Sequence, residues 1–196
     1  MKKILLVPAF LILAGAVQAT ETHPPAPSKY AGQEGRAIKS LSPDDIAELR
    51  RGGGWGLARV AELNGVPGPA HLLEMKAETS LDDTQVAALE KILEQMKTRA
   101  VRQGEKLIDL ERSLEDKFRD RTITDASLRT SLRNIADARM ELRYVHLSAH
   151  LKTPDILSED QIKTYNTLRG YDNPDPCANI PEGHDADVWR KHNGCK

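Results

Sequence analysis

Two pairs of side chains four residues apart are the first candidates for chemistry. His71 and Met75 stand at i and i+4, and so do His146 and His150. On a helix these positions share one face, so each pair presents two ligand atoms side by side. Imidazole with thioether suits a borderline or soft transition metal such as Zn, Cu, Ni or Co. The competing reading of both pairs is packing: His146 lies near an apolar stripe, and Met75 can fill a core. Other chemistry is sparse. No Ser-His-Asp order and no pair of catalytic carboxylates stands out, and Gly52-Gly53-Gly54 is followed by neither a lysine nor a strand–helix unit. An enzyme is not expected, and no cofactor is required.

Cys177 and Cys195 are the only cysteines. In an exported chain an even pair reads as a disulfide. The alternative is a Cys2His2 metal site with His184 and His192, whose spacings differ from the common zinc patterns.

Export follows from the N-terminus. Lys2 and Lys3 precede an apolar run, Ile4 to Ala14, and small residues end at Ala19. This is the order of a secretory signal peptide over residues 1–19, cleaved after about Ala19, and the run is too short to span a bilayer. The mature chain is therefore expected to be soluble, in a periplasm. Two of the 28 basic residues and none of the 29 acidic ones fall in the leader, which leaves a nearly neutral mature chain. A nucleic-acid partner is disfavoured, because such proteins carry a basic excess or stripe.

The elements that must position the histidines are helical. Aromatic residues make up 4% of the chain and charged ones 29%, a usage that favours long amphipathic helices over a deep mixed core. Residues 20–40, with three prolines and no helical period, read as a flexible arm. Three stretches then begin alike: Leu41-Ser42-Pro43, Leu81-Asp82-Asp83 and Leu157-Ser158-Glu159. Ser42, Asp82 and Ser158 are natural N-caps. Gln85 and Gln161 fall at the third helical position and can close capping boxes.

From Asp82 the apolar residues take a heptad spacing through Leu89, Leu93, Met96, Ala100, Leu107, Leu110 and Leu114. Ile92, Val101, Ile108 and Phe118 add a flanking stripe. The spacing predicts a helix to about Arg119, a turn and cap over Thr122–Asp125, and a second helix to about Lys152. A short connection makes the two antiparallel neighbours. A short helix at 43–51, another over 69–78 with Pro69 in its first turn, and a last one from Ser158 to about Arg169 complete an all-α body at 41–171. An irregular tail covers 172–196. In this register His71, Glu90 and His150 come to about the same height, His150 within about 3 Å along the axis, so Glu90 is the candidate carboxylate beside the two imidazoles.

The Leu81–Gln85 and Leu157–Gln161 starts, bracketing a long hairpin behind a signal peptide, resemble the Spy/CpxP family of LTxxQ-motif periplasmic proteins, with Asp82 and Ser158 in place of the motif threonine. The segment from Trp55 to His71 and the His146-Leu-x-x-His150-Leu run are similar to a heavy-metal-sensor branch of that family. The resemblance covers roughly residues 41–171. It implies an elongated four-helix protomer, usually paired as a curved homodimer. Functions implied by it are ATP-independent chaperoning of unfolded envelope proteins, contact with a membrane stress-signalling partner, or response to a transition metal. The chaperone function is the leading expectation and metal sensing or resistance the alternative. For chaperoning, an apolar stripe rimmed by Arg99, Arg102, Arg133 and Arg143 would meet the client.

Overall fold

The computed structural model describes residues 27–172, 176–178, 180 and 183–195. The expected signal peptide and the start of the arm lie outside the described residues. Residues 27–34 belong to a separate N-terminal unit and form turns.

The body is all-α among the described residues. Its helices are α1 (Pro43–Arg50), α2 (Arg59–Glu62), α3 (Pro69–Glu74), α4 (Asp83–Arg119), α5 (Asp125–His150), α6 (Glu159–Leu168) and α7 (Ala186–His192). None is long and apolar enough to cross a membrane. The 37 residues of α4 span about 55 Å at 1.5 Å per residue. α5 returns along it: Lys117 donates to Ser131 at 2.9 Å, Arg139 meets Glu111 at 3.1 Å, and Arg99 lies over the Tyr144 ring at 5.8 Å. Falling numbers on α4 meet rising numbers on α5, as an antiparallel hairpin requires.

The helix starts form as the caps dictate. Ser42, Asp82, Thr124 and Ser158 each accept from a backbone N–H three residues on, and each box closes reciprocally. The two glutamines do more than cap. Gln85 Nε2 donates to Gln161 Oε1 and Gln161 Nε2 to Gln85 Oε1, both at 2.9 Å. Each amide also reaches a carbonyl of the opposite segment: Gln85 that of Ile156 at 2.8 Å, Gln161 that of Ser80 at 3.2 Å. The starts of α4 and α6 are thus clasped by one amide pair whose donors and acceptors are all used. A buried amide left without its partner costs about 1–3 kcal/mol, which gives both glutamines a structural reason to be there.

Two cores flank the hairpin. One gathers Ile38, Leu41 and Leu49 against Ala100, Leu107 and Ile108 of α4 and Ile135, Ala138, Leu142 and Val145 of α5. The other gathers Leu72, Leu89 and Tyr165, with Met75, Leu81, Ile156 and Tyr171 packed on them. α1 crosses α4 at Gly104, where an added Cβ would lie 2.4 Å from the Leu49 carbonyl oxygen. Buried Glu111, 6% exposed, accepts from Ser40 Oγ at 2.8 Å and pairs with Arg139, tying the chain before α1 to both long helices.

Three expectations change. The arm assigned to residues 20–40 is not free at its end: Ile38 is 1% exposed in the first core and Lys39 pairs with Glu115, because one isoleucine in a polar stretch suffices to dock it. The helix expected over 69–78 stops at Glu74, where Thr79 returns its N–H and hydroxyl to the Met75 carbonyl and Ser80 takes a φ of 51°. The tail is not wholly irregular: Asp185 caps α7 by accepting from the N–H groups of Asp187 and Val188. Within the flanking stripe, Ile108 is fully buried and Phe118 is exposed.

Candidate functional site

The site begins with Glu62, the last residue of the single-turn helix α2. Its carboxylate is only 12% exposed and collects donors from three elements. His71 Nδ1, on α3, lies 3.1 Å from Oε1. Tyr165 on α6 donates its hydroxyl to Oε2 at 2.7 Å, and Tyr171 donates at 3.1 Å. The Arg169 guanidinium approaches Oε2 to 4.0 Å, and His150 Nε2, at the end of α5, stands 3.9 Å from Oε1. Burial works against the charged carboxylate. Hydrogen bonds from His71 and Tyr165, and the positive charge of protonated His71 and His150, outweigh it and hold the Glu62 pKa at about 2. The same packing raises the Tyr165 hydroxyl, first through burial and then through the Glu62 charge.

Partner chemistry fixes both imidazole tautomers. An ionised carboxylate only accepts, so His71 Nδ1 carries the proton it shares with Glu62. The Val66 carbonyl also only accepts, so His150 Nδ1 carries a proton toward it at 2.9 Å. When neutral, both rings therefore keep Nε2 as a bare lone pair. Orientation of the far ring nitrogen by a carboxylate or a carbonyl is how proteins prepare histidine for a metal. The 66–68 segment is held against the end of α5 a second time, by Thr153 Oγ1 donating to the Pro67 carbonyl at 2.7 Å. Beside this stands Gly68. Its absent Cβ would sit 2.9 Å from His150 Nε2 and 3.0 Å from Glu62 Oε1, so any larger residue would fill the gap between lone pair and carboxylate.

These groups open on a cavity of about 820 Å³ that also touches Glu48, Trp55, Met96, Lys97, His146, His184 and Trp189. Four of the six histidines in the chain line it. His146 is 3% exposed, and its Nε2 has no hydrogen-bond partner among the described residues. Burial holds its pKa below the ordinary histidine value, the nearby His150 lowers it further, and Glu48 opposes both. A buried ring nitrogen without a partner is costly in a finished core and fits a wall awaiting a ligand.

Of the residues expected from the sequence, the structure brings His71, His146 and His150 to one cavity. The carboxylate between His71 and His150 is Glu62, not Glu90, which lies exposed on α4. His71 and His150 do line one cavity, but Glu90 faces solvent on α4. Met75 packs in the second core, so the thioether is committed to packing. Glu62 carried a faint signal: it is the only acidic residue between Glu48 and Glu74. Cys177 and Cys195 form a disulfide. Among the described residues no three His, Cys, Asp or Glu side chains already enclose a common centre; His71, with 37% of its side chain exposed, is the member with room to move.

No protein-family profile, no curated protein and no solved structure matches this chain.

Proposed function

We propose that this chain is an extracytoplasmic metal-binding protein of the Spy/CpxP-like type, taking up a divalent transition ion at Glu62, His71 and His150 as a sensor or buffer. One observation carries the reading: the bare Nε2 of His150 and the ionised Oε1 of Glu62 lie 3.9 Å apart across the gap at Gly68. With His150 protonated the two attract as an ion pair; with the ring neutral its lone pair and the anionic oxygen repel, and a metal cation between them would take the place of that proton. The donor set fits the group. Two imidazoles and a carboxylate suit Zn, Ni, Co or Cu; the His150 ring has its second nitrogen anchored on the Val66 carbonyl, and His71, now bonded to Glu62 through Nδ1, would turn to join the ion. The ion would supply a positive charge linking α2, α3 and α5, so that occupancy is felt by the hairpin. The disulfide supports an oxidising compartment, in keeping with a periplasmic location.

The test is a titration of the chelator-stripped protein with Zn, Cu, Ni and Co, followed by thermal unfolding. Linkage predicts a gain of about 2.7 kcal/mol at a hundred times the dissociation constant. Replacement of His71 or His150 by alanine is expected to abolish the shift for the ion that gives it. A shift that survives in both variants removes the assigned ligands.

A second reading rests on a different surface. Leu132, Met140, Tyr144 and Leu151 run along one side of α5 and onto its C-terminal end, 50%, 55%, 55% and 72% exposed, with Arg133 and Arg143 exposed beside them. An apolar stripe rimmed by cations marks a contact surface, and chaperoning of unfolded envelope proteins, pairing into a homodimer or docking on a membrane signalling partner would each use it. For the chaperone function, the protein at several-fold excess is expected to slow aggregation of a chemically denatured client, and Met140→Glu with Tyr144→Glu to weaken the effect. An aggregation rate unaltered by the unsubstituted protein discards that function.

A further inference from the structure

We propose that Tyr165 and Tyr171 are positioning residues that set which ion the site prefers: by occupying Glu62 Oε2 they leave only Oε1 to the ion, and so restrict the carboxylate to ligation through a single oxygen. The inference rests on the metal-binding reading above and adds the class of ion to it, a small one of low coordination number that seeks nitrogen.

The surroundings treat the two oxygens of Glu62 differently. Oε2 accepts from the Tyr165 hydroxyl at 2.7 Å and from the Tyr171 hydroxyl at 3.1 Å, with the Arg169 guanidinium 4.0 Å away. Arg169 also donates to the Tyr171 oxygen, through Nε at 3.3 Å and Nη2 at 3.0 Å. The Tyr171 hydrogen is thereby left for the carboxylate, which can only accept. Oε1 faces the two imidazoles and borders the gap at Gly68. A cation arriving at Oε2 would have to displace two hydroxyls and approach a guanidinium. At Oε1 it displaces the His71 N–H alone, and His71 has 37% of its side chain exposed and room to turn.

The tyrosines are themselves held. Tyr165 is fully buried in the second core. It follows Gln161 by one helical turn, so the glutamine clasp that fixes the start of α6 also fixes the place of this hydroxyl. The Tyr165 and Tyr171 rings pack tilted on each other, with centroids 6.5 Å apart. Glu62 sits on a single turn, and its carboxylate takes the orientation that these hydroxyls impose. The chemical consequence concerns the ion. Zinc sites usually have about four ligands, imidazole nitrogens and carboxylate oxygens among them. Calcium and manganese favour shells of about six or more oxygens, and one carboxylate can give calcium two of them. With Oε2 withheld, Glu62, His71 and His150 offer two nitrogens and one oxygen, which favours the first class of ion.

The experiment is calorimetric titration of the full mature chain with Zn(II) and Mn(II), with the Co(II) absorption spectrum as a second readout. The unsubstituted protein is compared with Tyr171→Phe, Tyr165→Phe and the double variant. Each substitution removes a hydroxyl and leaves the ring in place. Tyr171 is only half-buried, which keeps the test available if Tyr165→Phe disturbs the core. The double variant is expected to narrow the preference for Zn(II) over Mn(II) by about tenfold or more, the scale on which groups behind a metal ligand act. Its visible Co(II) band is expected to weaken as the freed Oε2 raises the coordination number, and Tyr171→Phe to change both readouts less in the same direction. Loosening of the fold alone would lower both affinities together and leave their ratio in place. An unaltered ratio and Co(II) spectrum in these variants, with the unsubstituted protein binding Zn(II), overturn the positioning role and leave the metal site standing. Absence of binding by the unsubstituted protein overturns both.

Discussion

Alanine at position 104 is expected to destabilise the protein by about 1–3 kcal/mol, the range for overpacking a tight contact. The sign is the informative part. In the middle of a helix, exchange of glycine for alanine ordinarily gains about 1 kcal/mol. Here the new methyl would stand 2.4 Å from the Leu49 carbonyl oxygen and 3.0 Å from its carbonyl carbon. Both are backbone atoms, so no side-chain rotation relieves the clash; α1 itself has to lift from α4. Leu49 is 1% exposed, and a fully buried leucine stabilises by about 1.5–3 kcal/mol. Lifting α1 also disturbs the cavity wall, since Trp55 is held to α1 through Nε1 donating to Asp45 Oδ1 at 2.8 Å. Urea unfolding read by tryptophan fluorescence gives the answer. A Gly104→Ala protein as stable as the parent, or more so, would mean that α1 does not cross α4 there.

Loss of the Glu62 charge is expected to have a comparable effect with a distinct dependence on pH. The carboxyl titrates at about 2 when folded against an ordinary 4.5. A lowered carboxyl pKa stabilises the fold at every pH above 4.5, and the contribution disappears as pH falls from 4.5 toward 2. The difference corresponds to about 3 kcal/mol at 1.36 kcal/mol per unit. Glu62→Gln keeps the shape but not the charge that His71 and the two tyrosines address. It is therefore expected to be less stable near neutrality by up to that amount, and to have a flatter stability profile between pH 4.5 and 2. Chemical denaturation across this range, for both proteins, tests it. Parallel profiles would show that Glu62 does not carry the acid limb, whatever the stability at neutral pH.

What could be read in advance was local. The caps at Ser42, Asp82 and Ser158 involve atoms three residues apart, and the ends of α4 and α5 follow from turn chemistry next to an apolar period. The disulfide followed from cysteine count and the expected compartment. Bringing His71 and His150 together needed only chain length and helix rise. Glu62 needed more: it lies on a single turn without a period of its own, and its tyrosines come from about a hundred residues away. Height along a hairpin can be counted, whereas rotation about an axis depends on packing, and Glu90 was lost on that point. The glutamines show the same divide. Their caps are local, while the amide pair spans 76 residues.

The far end of the hairpin is a different kind of structure from the rest. Between Glu111 on α4 and Ser131 on α5 no described residue is fully buried, and the attachments at Gly104, Glu111 and the glutamine clasp lie closer to the open end, with the Lys39–Glu115 pair farther out. Beyond Leu114, which packs on the first core, and Glu115, which Lys39 holds, the tip is two helices and a turn. Its length is therefore a free parameter of the architecture. Whole heptads inserted or removed in register on both arms would lengthen or shorten the reach of the molecule while leaving the cavity and its histidines where they are. The protein has separated its span from its site, and the two can diverge independently.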